Sequence, residues 1–447
     1  MAGRKALVAI LGGLFCLAAQ AAPLDLLDAW LGAANNDPTW KTAKADASYD
    51  QAEQDKALAG LLPSANLSMS RSRNELERES GTASTLRYGS AVDSLSLRQP
   101  LIRLQNFADY RRAVAQGKAA DHRLRSAEQQ LAVRVAQAYF DTLLAADQLR
   151  ITERQAASLS TQLTAARSAF RSGSGTRIEI DEAQSRLKLA EAEALANNNA
   201  LEIARRRLAT MTASNAAELA PLNDTGLDSL QLKPTNFTEW FELALQENPD
   251  LAAALKSIDV AEWSVDRARA AHLPTLDLVA SRTRYDSDSL STINNRYQVD
   301  TLGLQLTVPI YSGGYVNADT TQARAREQRA LAEHEGIRQE LEVRVLKEYT
   351  GVTQGRERLA ALEQALEASR ATLKSTRRGI EAGTRNQLDV LNAERDSLAV
   401  ELALSRARYE FIINYLRLLA LGNLLSGEEI VKVNALLLHG TGSSAPH

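Results

Sequence analysis

The chain has 447 residues, is 45% apolar but only 5% aromatic, and carries a formal net charge of −3. Ala, Leu, Gln, Glu and Arg crowd the middle of each half, a composition of long helices rather than of two or three ordinary globular domains. A near-neutral balance without a basic, aromatic-interleaved patch excludes a nucleic-acid partner.

Residues 1–21 read as an export signal. Arg4 and Lys5 form its positive end, Leu7 to Ala19 its apolar core, and Ala19-Gln20-Ala21 a small-x-small cleavage site. Cleavage is expected after Ala21, because cleavage after Ala22 would leave Pro23 first. The single cysteine, Cys16, lies inside the signal. Phe15 precedes it where a lipid-attachment signal needs a small residue, so neither a lipid anchor nor a thiol, disulfide or cysteine metal site is expected in the mature chain. Past residue 22 no run of ~18 apolar residues occurs, so any membrane crossing has to be made by strands.

The remainder is an internal duplication with an offset of about 210 residues. Asn36-Asp37-Pro38 meets Glu247-Asn248-Pro249, and Leu62-Pro63 meets Leu273-Pro274. Ser70, Arg71 and Arg73 meet Ser281, Arg282 and Arg284; Val133, Arg134, Val135 and Tyr139 meet Val343, Arg344, Val345 and Tyr349. Farther along, Gly173 meets Gly383, and Arg207-Leu208 meets Arg417-Leu418. The units are 22–213 and 236–425, joined by a linker at 214–235 and followed by a C-terminal tail at 426–447.

Each unit opens with a helix, roughly 24–60 and 237–271, kinked or broken at Pro38 or Pro249. After Pro63 and Pro274 the period changes to two. Leu67 and Met69 alternate with Asn66, Ser68 and Ser70; Leu95 and Leu97 with Ser94, Ser96 and Arg98. In the second unit Leu276 and Leu278 flank Asp277, and Leu302, Leu304 and Leu306 alternate with Gln305 and Thr307. Each unit is thus expected to hold two strands of about ten residues, apolar on one face, joined by polar loops at 74–89 and 286–296. Pro100, and Pro309 with Gly313 and Gly314, are expected to end the strands and turn the chain into a helix. Leu359, Leu362, Leu366, Leu373 and Ile380 then mark a heptad seam, as do Leu149, Ala156, Leu163 and Phe170. The long helices, near 105–171 and 316–381, end at the tip glycines Gly173 and Gly383.

Open sheet edges are not tolerated in lipid. Outer membrane barrels need at least about eight strands, and one chain supplies four, so closure requires assembly. Three chains and twelve strands are the natural small solution, since a two-chain barrel would fill with its own side chains. Tyr88, Tyr285, Tyr297, Tyr311 and Tyr315 are expected to form interfacial girdles.

The pattern resembles the TolC family of outer membrane channel proteins over nearly the whole mature chain. Asn36-Asp37-Pro38, Leu62-Pro63 and their second-unit copies carry the resemblance, with the turn Val308-Pro309-Ile310-Tyr311-Ser312-Gly313-Gly314. So do the tip segment from Gly383 through Arg385 and Asp389 to Ala393, and the closing helix from Tyr409 to Gly422. The resemblance implies a mixed α/β homotrimer: a twelve-stranded β-barrel in the outer membrane of a Gram-negative bacterium, continued by an α-helical barrel through the periplasm. The implied partners are a periplasmic membrane-fusion adaptor, an inner-membrane ABC transporter, an exported protein and outer membrane lipid. It also implies a periplasmic gate, with Arg385 tying the tip closed and Asp389 in an acidic ring of the kind that sets cation selectivity. Glu179 holds the matching place after Gly173. The family's second acidic ring position holds Asn392, and its gate tyrosine position holds Ile380. Read from the residues alone, Asp389 and Glu179 are equally first-turn helix caps.

The five histidines lack metal-ligand spacing, and no nucleophile elbow or phosphate loop is present, so neither an enzyme nor a cofactor is expected. The absent lipid-anchor cysteine and the opening Leu24-Asp25-Leu26-Leu27-Asp28-Ala29-Trp30 resemble the type I protein-secretion branch. The alternatives are a drug or metal efflux duct and, in another class, a periplasmic coiled-coil structural protein.

Overall fold

The computed structural model describes residues 23–78, 84–214, 216, 218–223, 226–289 and 292–438. The export signal with Cys16 and the chain end at 439–447 lie outside them. The first unit runs α1 (Leu26–Asn36), α2 (Pro38–Ala59), β1 (Ser64–Arg78), β2 (Ser84–Ile102), α3 (Leu104–Arg171) and α4 (Arg177–Thr212). The second repeats that order as α5 (Phe237–Glu247), α6 (Pro249–Ala270), β3 (Thr275–Ser289), β4 (Thr292–Thr307), α7 (Tyr315–Glu381) and α8 (Gln387–Leu421), and α9 (Gly427–Asn434) follows. α3 and α7, at 68 and 67 residues, are each about 100 Å long at 1.5 Å per residue. No described helix is long and apolar enough to cross a membrane.

The prolines make breaks rather than kinks. Each is the first residue of a new helix, where its missing N–H costs nothing, and the residue before it caps that helix. Asp37 accepts from the Trp40 amide at 2.8 Å. Asn248 accepts from the Leu251 amide at 3.0 Å and donates to the Leu421 carbonyl at 3.0 Å.

The main core forms where α1, α5, α8 and α9 pack on the middle of α3 and α7, around Leu26, Tyr139, Phe140, Trp240, Phe411 and Ile412. Two duplicated tyrosines lace the strap segments to the long helices. Tyr139 Oη donates to the Leu24 and Ala220 carbonyls at 3.1 and 2.8 Å, and Tyr349 Oη to the Thr235 carbonyl at 2.8 Å. A smaller seam toward the tip joins Leu159 and Leu163 to Ile180, Ala183 and Leu187. Phe170, at the end of the expected heptad register, is exposed.

The four strands form one antiparallel sheet in the order β1-β2-β3-β4, leaving an open edge on β1 and on β4. Leu67 stands opposite Leu95, Leu97 opposite Ala280, and Leu278 opposite Leu304. Because successive side chains alternate faces, these residues share one face with Met69, Leu302 and Leu306. Six of its leucines lie open, from 42% exposed at Leu97 to 76% at Leu302, while Leu276 and Leu278 are half-buried. The other face carries serine and threonine, with Ser94 and Thr283 hydroxyls 3.1 Å apart.

The strands outrun the expected ten residues. The ladder continues to Arg78 opposite Ser84 and to Ser289 opposite Thr292, so most of 74–89 and 286–296 is strand rather than loop. Cross-strand ion pairs support that outer half where leucines stop: Arg71–Asp93 at 2.7 Å, Arg87–Glu75 at 2.8 Å, Arg282–Asp300 at 2.7 Å and Arg296–Asp286 at 2.9 Å. Parity also corrects the tyrosines. Tyr88, Tyr285 and Tyr297 lie on the serine face, where Tyr285 and Tyr297 are directly opposed and stack at 4.6 Å, so they cannot girdle the leucine face. Tyr311 and Tyr315, near the sheet's helical end, are 88% and 69% exposed.

Candidate functional site: helical tip and strand-to-helix junctions

The two junctions, expected to be copies, are built differently. After β4, residues 308–312 leave the ladder, and Gly313 (φ 63°) and Gly314 (φ 81°) turn the chain so that Gly314 caps α7. Two successive left-handed residues require glycine. After β2 there is no such turn. Pro100 sits within the strand opposite Asp277, and the register slips by one before Ile102 pairs with Leu276. Arg103 alone then connects to α3. The proline is tolerated because it stands at this bulge.

A buried carboxylate secures this first junction. Asp277 of β3 is 1% exposed. It accepts from Arg98 of β2 at 2.5 Å and from Arg103 Nε and Nη2, both at 2.9 Å. An acid so enclosed is stable only when its charge is matched and its oxygens are occupied. In the sequence Asp277 shows only as a polar residue between two leucines, and nothing local marks Arg98 and Arg103 as its partners.

At the far end, each long helix closes on a glycine with positive φ, Gly173 (78°) and Gly383 (70°). The carbonyls of Ala169 and Gly379 gather equivalent donors: the Ser174 and Gly175 amides at 3.0 and 3.1 Å, and the Thr384 and Arg385 amides at 2.8 and 3.1 Å. Capping boxes then start the return helices. The Thr176 hydroxyl accepts from the Glu179 amide at 3.3 Å, and Glu179 Oε2 accepts from the Thr176 amide at 3.1 Å. Asn386 Oδ1 accepts from the Asp389 amide at 2.9 Å, and Asp389 Oδ2 from the Asn386 amide at 3.1 Å.

Glu179 and Asp389 are therefore helix caps, as the residue-level reading allowed. Among the described residues no ion pair within 4.0 Å joins Arg385 to Asp389. Arg385 is exposed, with its stem against Gly379. Asn392 is exposed on α8, three positions beyond Asp389, in a groove of about 270 Å³ with Leu391, Arg395 and Leu189. Glu179 shares a larger groove, about 460 Å³, with Asn386, Gln387 and Leu388. The structure thus brings the two tip turns side by side.

Above the tip, a charged cluster fastens α3 to α8. Glu401 accepts from Arg154 at 2.7 Å and from Arg150 at 3.1 Å, while Arg150 also reaches Asp147 at 2.9 Å. Burial alone would raise the Glu401 carboxyl, but the two arginines outweigh it and hold it below the ordinary carboxylate range. The Tyr409 hydroxyl donates to Asp147 at 2.9 Å, and burial pushes it far above a free phenol. Among the described residues no group of three His, Cys, Asp or Glu side chains could hold a metal ion.

A bare-leucine sheet of spanning length, carried on paired helices about 100 Å long, defines the class: a membrane-seated β-sheet protein with a helical extension. The chain belongs to the outer membrane efflux protein family, whose model matches residues 32–214 and 240–423, once per unit. It is 34% identical to the alkaline protease secretion protein AprF of Pseudomonas aeruginosa, over 96% of this chain and 90% of that protein. It is 31% identical to the proteases secretion protein PrtF of Dickeya chrysanthemi, over 93% and 92%, and 27% identical to TolC of Vibrio cholerae, over 92% and 93%. Among solved structures the fold matches CusC at a TM-score of 0.76 (22% identity, 89% of this chain and 92% of that one). It also matches VceC of Vibrio cholerae at 0.73 (19% identity, 90% and 97%). The protein is an outer membrane channel component and not an enzyme.

Proposed function

We propose that this chain is one protomer of a homotrimeric duct that completes a tripartite type I secretion machine and releases protein substrates without a periplasmic intermediate. Three sheets close edge to edge, β4 against β1 of the next copy, into a twelve-stranded barrel with leucines facing lipid and serines facing the lumen. The helices extend the duct through the periplasm to an adaptor and an inner-membrane ABC transporter. The observation that carries this reading is the pair of open strand edges on a sheet with a bare leucine face. The chain's end-to-end similarity to two protease secretion proteins selects protein cargo over drugs or metals. A periplasmic coiled-coil scaffold would leave the leucine face without a partner.

At the tip, three copies each of Arg385, Asp389 and Asn392 line the periplasmic constriction, with Glu179 in the neighbouring turn. The capping role and a place in the ring are compatible, since a helix N-terminus favours a negative side chain. Deleting the gene and comparing culture supernatant proteins with drug sensitivity tests the assignment. Loss of secreted proteins at unchanged sensitivity supports it; unchanged secretion with raised drug sensitivity overturns it.

A further inference from the structure

Beyond the leucine band, the outward face of the sheet carries charge in an ordered way. Asp93, Asp300, Asp286 and Glu75 are each engaged by an arginine on the adjacent strand at 2.7 to 2.9 Å. Two arginines on this face, Arg73 of β1 and Arg284 of β3, are exposed, and no hydrogen bond or ion pair within 4.0 Å engages either among the described residues. Arg284 stands opposite Asp93, whose carboxylate Arg71 already holds. They are also copies of one another, at the same distance from the start of their strands in the two units. A single surface arginine outside a contact ion pair is ordinary. The same position without one in both units, at one height, is a pattern, even with Asp93 near enough to Arg284 to attract it.

That height has a meaning. Both lie nine residues into their strands, about 30 Å along the strand at ~3.3 Å per residue. With the usual tilt of about 40°, this is roughly 23 Å above the helical end, close to the ~25 Å height of a barrel's apolar band. Arg71 and Arg282, two residues lower, are neutralised by Asp93 and Asp300. Two residues higher, Glu75 and Asp286 are matched in turn by Arg87 and Arg296, so Arg73 and Arg284 form one row of excess positive charge between two matched rows.

We propose that Arg73 and Arg284 form a belt that binds the phosphate groups of outer-leaflet glycolipid. A guanidinium fork offers paired donors to phosphate, and long arginine stems can lie along apolar surface with their heads at the polar boundary. Six such forks would circle the assembly. The inference rests on the barrel reading above and on leucines facing outward.

The test is lipid retention by the full-length protein extracted in mild detergent, read by native mass spectrometry with added diphosphorylated or dephosphorylated lipid A. The wild type should retain the diphosphorylated form, and the double variant Arg73→Gln/Arg284→Gln about tenfold less, with Arg73→Lys/Arg284→Lys in between. The lipid-free melting temperature of each variant controls for folding. Equal retention by wild type and the glutamine variant, or of both lipid forms, overturns the proposal. So does equal thermal protection by inorganic phosphate alone, which needs no lipid. If the glutamine variant instead changes single-channel ion selectivity without changing retention, the arginines line the lumen. In that case the orientation of the barrel falls with the proposal, while loss of secretion on gene deletion would still stand.

Discussion

Gly379 and Arg385 share one space. A Cβ built on Gly379 would lie 2.6 Å from Arg385 Cγ, so the arginine stem runs where an α7 side chain would otherwise be. The first unit fills the equivalent positions the other way round, with Ala169 and Gly175, where a Cβ on Gly175 would meet Ala169 Cβ at 3.0 Å. The small residue moves from one side of the turn to the other, and only the second unit has an arginine at this position of the turn. Gly379→Ala should therefore dislodge Arg385 while improving the helix, since alanine is favoured over glycine by about 1 kcal/mol. The expected result is an unchanged or higher melting temperature with a raised single-channel conductance, matching Arg385→Ala. Unaltered conductance in both variants would remove Arg385 from the gate.

Asp389→Asn separates the capping role from the charge. An asparagine side-chain oxygen can still accept from the Asn386 amide, so folding should be nearly unchanged. Block of the channel by multivalent cations added from the periplasmic side should weaken about tenfold, equivalent to ~1.4 kcal/mol. Glu179→Gln, in the neighbouring turn, should have a smaller effect. Undiminished block in Asp389→Asn would leave that carboxylate as a cap alone.

Asp277→Asn removes the charge that holds Arg98 and Arg103. Breaking a fully buried pair costs about 3–5 kcal/mol, but Arg98 is 48% exposed and can turn to water, so a loss nearer ~2 kcal/mol is expected. At the other junction, Gly314→Ala forces an L-residue to a φ of 81°, at about 1–2 kcal/mol. Denaturant titration of both variants measures this, and equal stability of Asp277→Asn and wild type would show that the clamp is decorative.

Glu401 gives the acid limb of stability a local origin. Its folded carboxyl is held below the ordinary value of about 4.3 by Arg154 and Arg150 against the effect of burial. The folded state therefore binds the proton less readily than the unfolded one. The Glu401 contribution is complete above the ordinary value and disappears as pH falls through the lowered one. Glu401→Gln should lower the melting temperature at pH 7 and flatten its decline below about pH 4. Parallel melting curves for both proteins across that range would contradict this.

Much of the fold was legible because its signals are local. Pro38 and Pro249 broke helices at their own positions, and glycines stopped α3 and α7 within a residue of the expected ends. Both units carry their elements in the same order, with two helices where the sequence suggests one interrupted helix. What stayed hidden depends on pairing. The outer halves of the strands look like loops because their Arg and Asp side chains find partners only across the sheet, as Arg71 does with Asp93. By contrast, the odd positions of Tyr285 and Tyr297 already set them on the face opposite Leu276, Leu278, Leu302 and Leu304, a parity that the sequence itself carries against a girdle. The first junction was read by analogy with the second, although no glycine pair follows Pro100. Arg103 and Asp277, 174 residues apart in sequence, carry no local mark of their contact. The Gly379–Arg385 exchange could have been found, since aligning the two units sets Ala169 and Gly175 beside it.

The unequal junctions give each chain two different mechanical couplings between sheet and helix. After β2 the connection is one residue long and riveted by a carboxylate to a neighbouring strand. After β4 it is a span outside the ladder that ends in two successive glycines with positive φ. Any displacement of the helices relative to the sheet would therefore be passed on directly at the first junction and taken up by backbone rotation at the second.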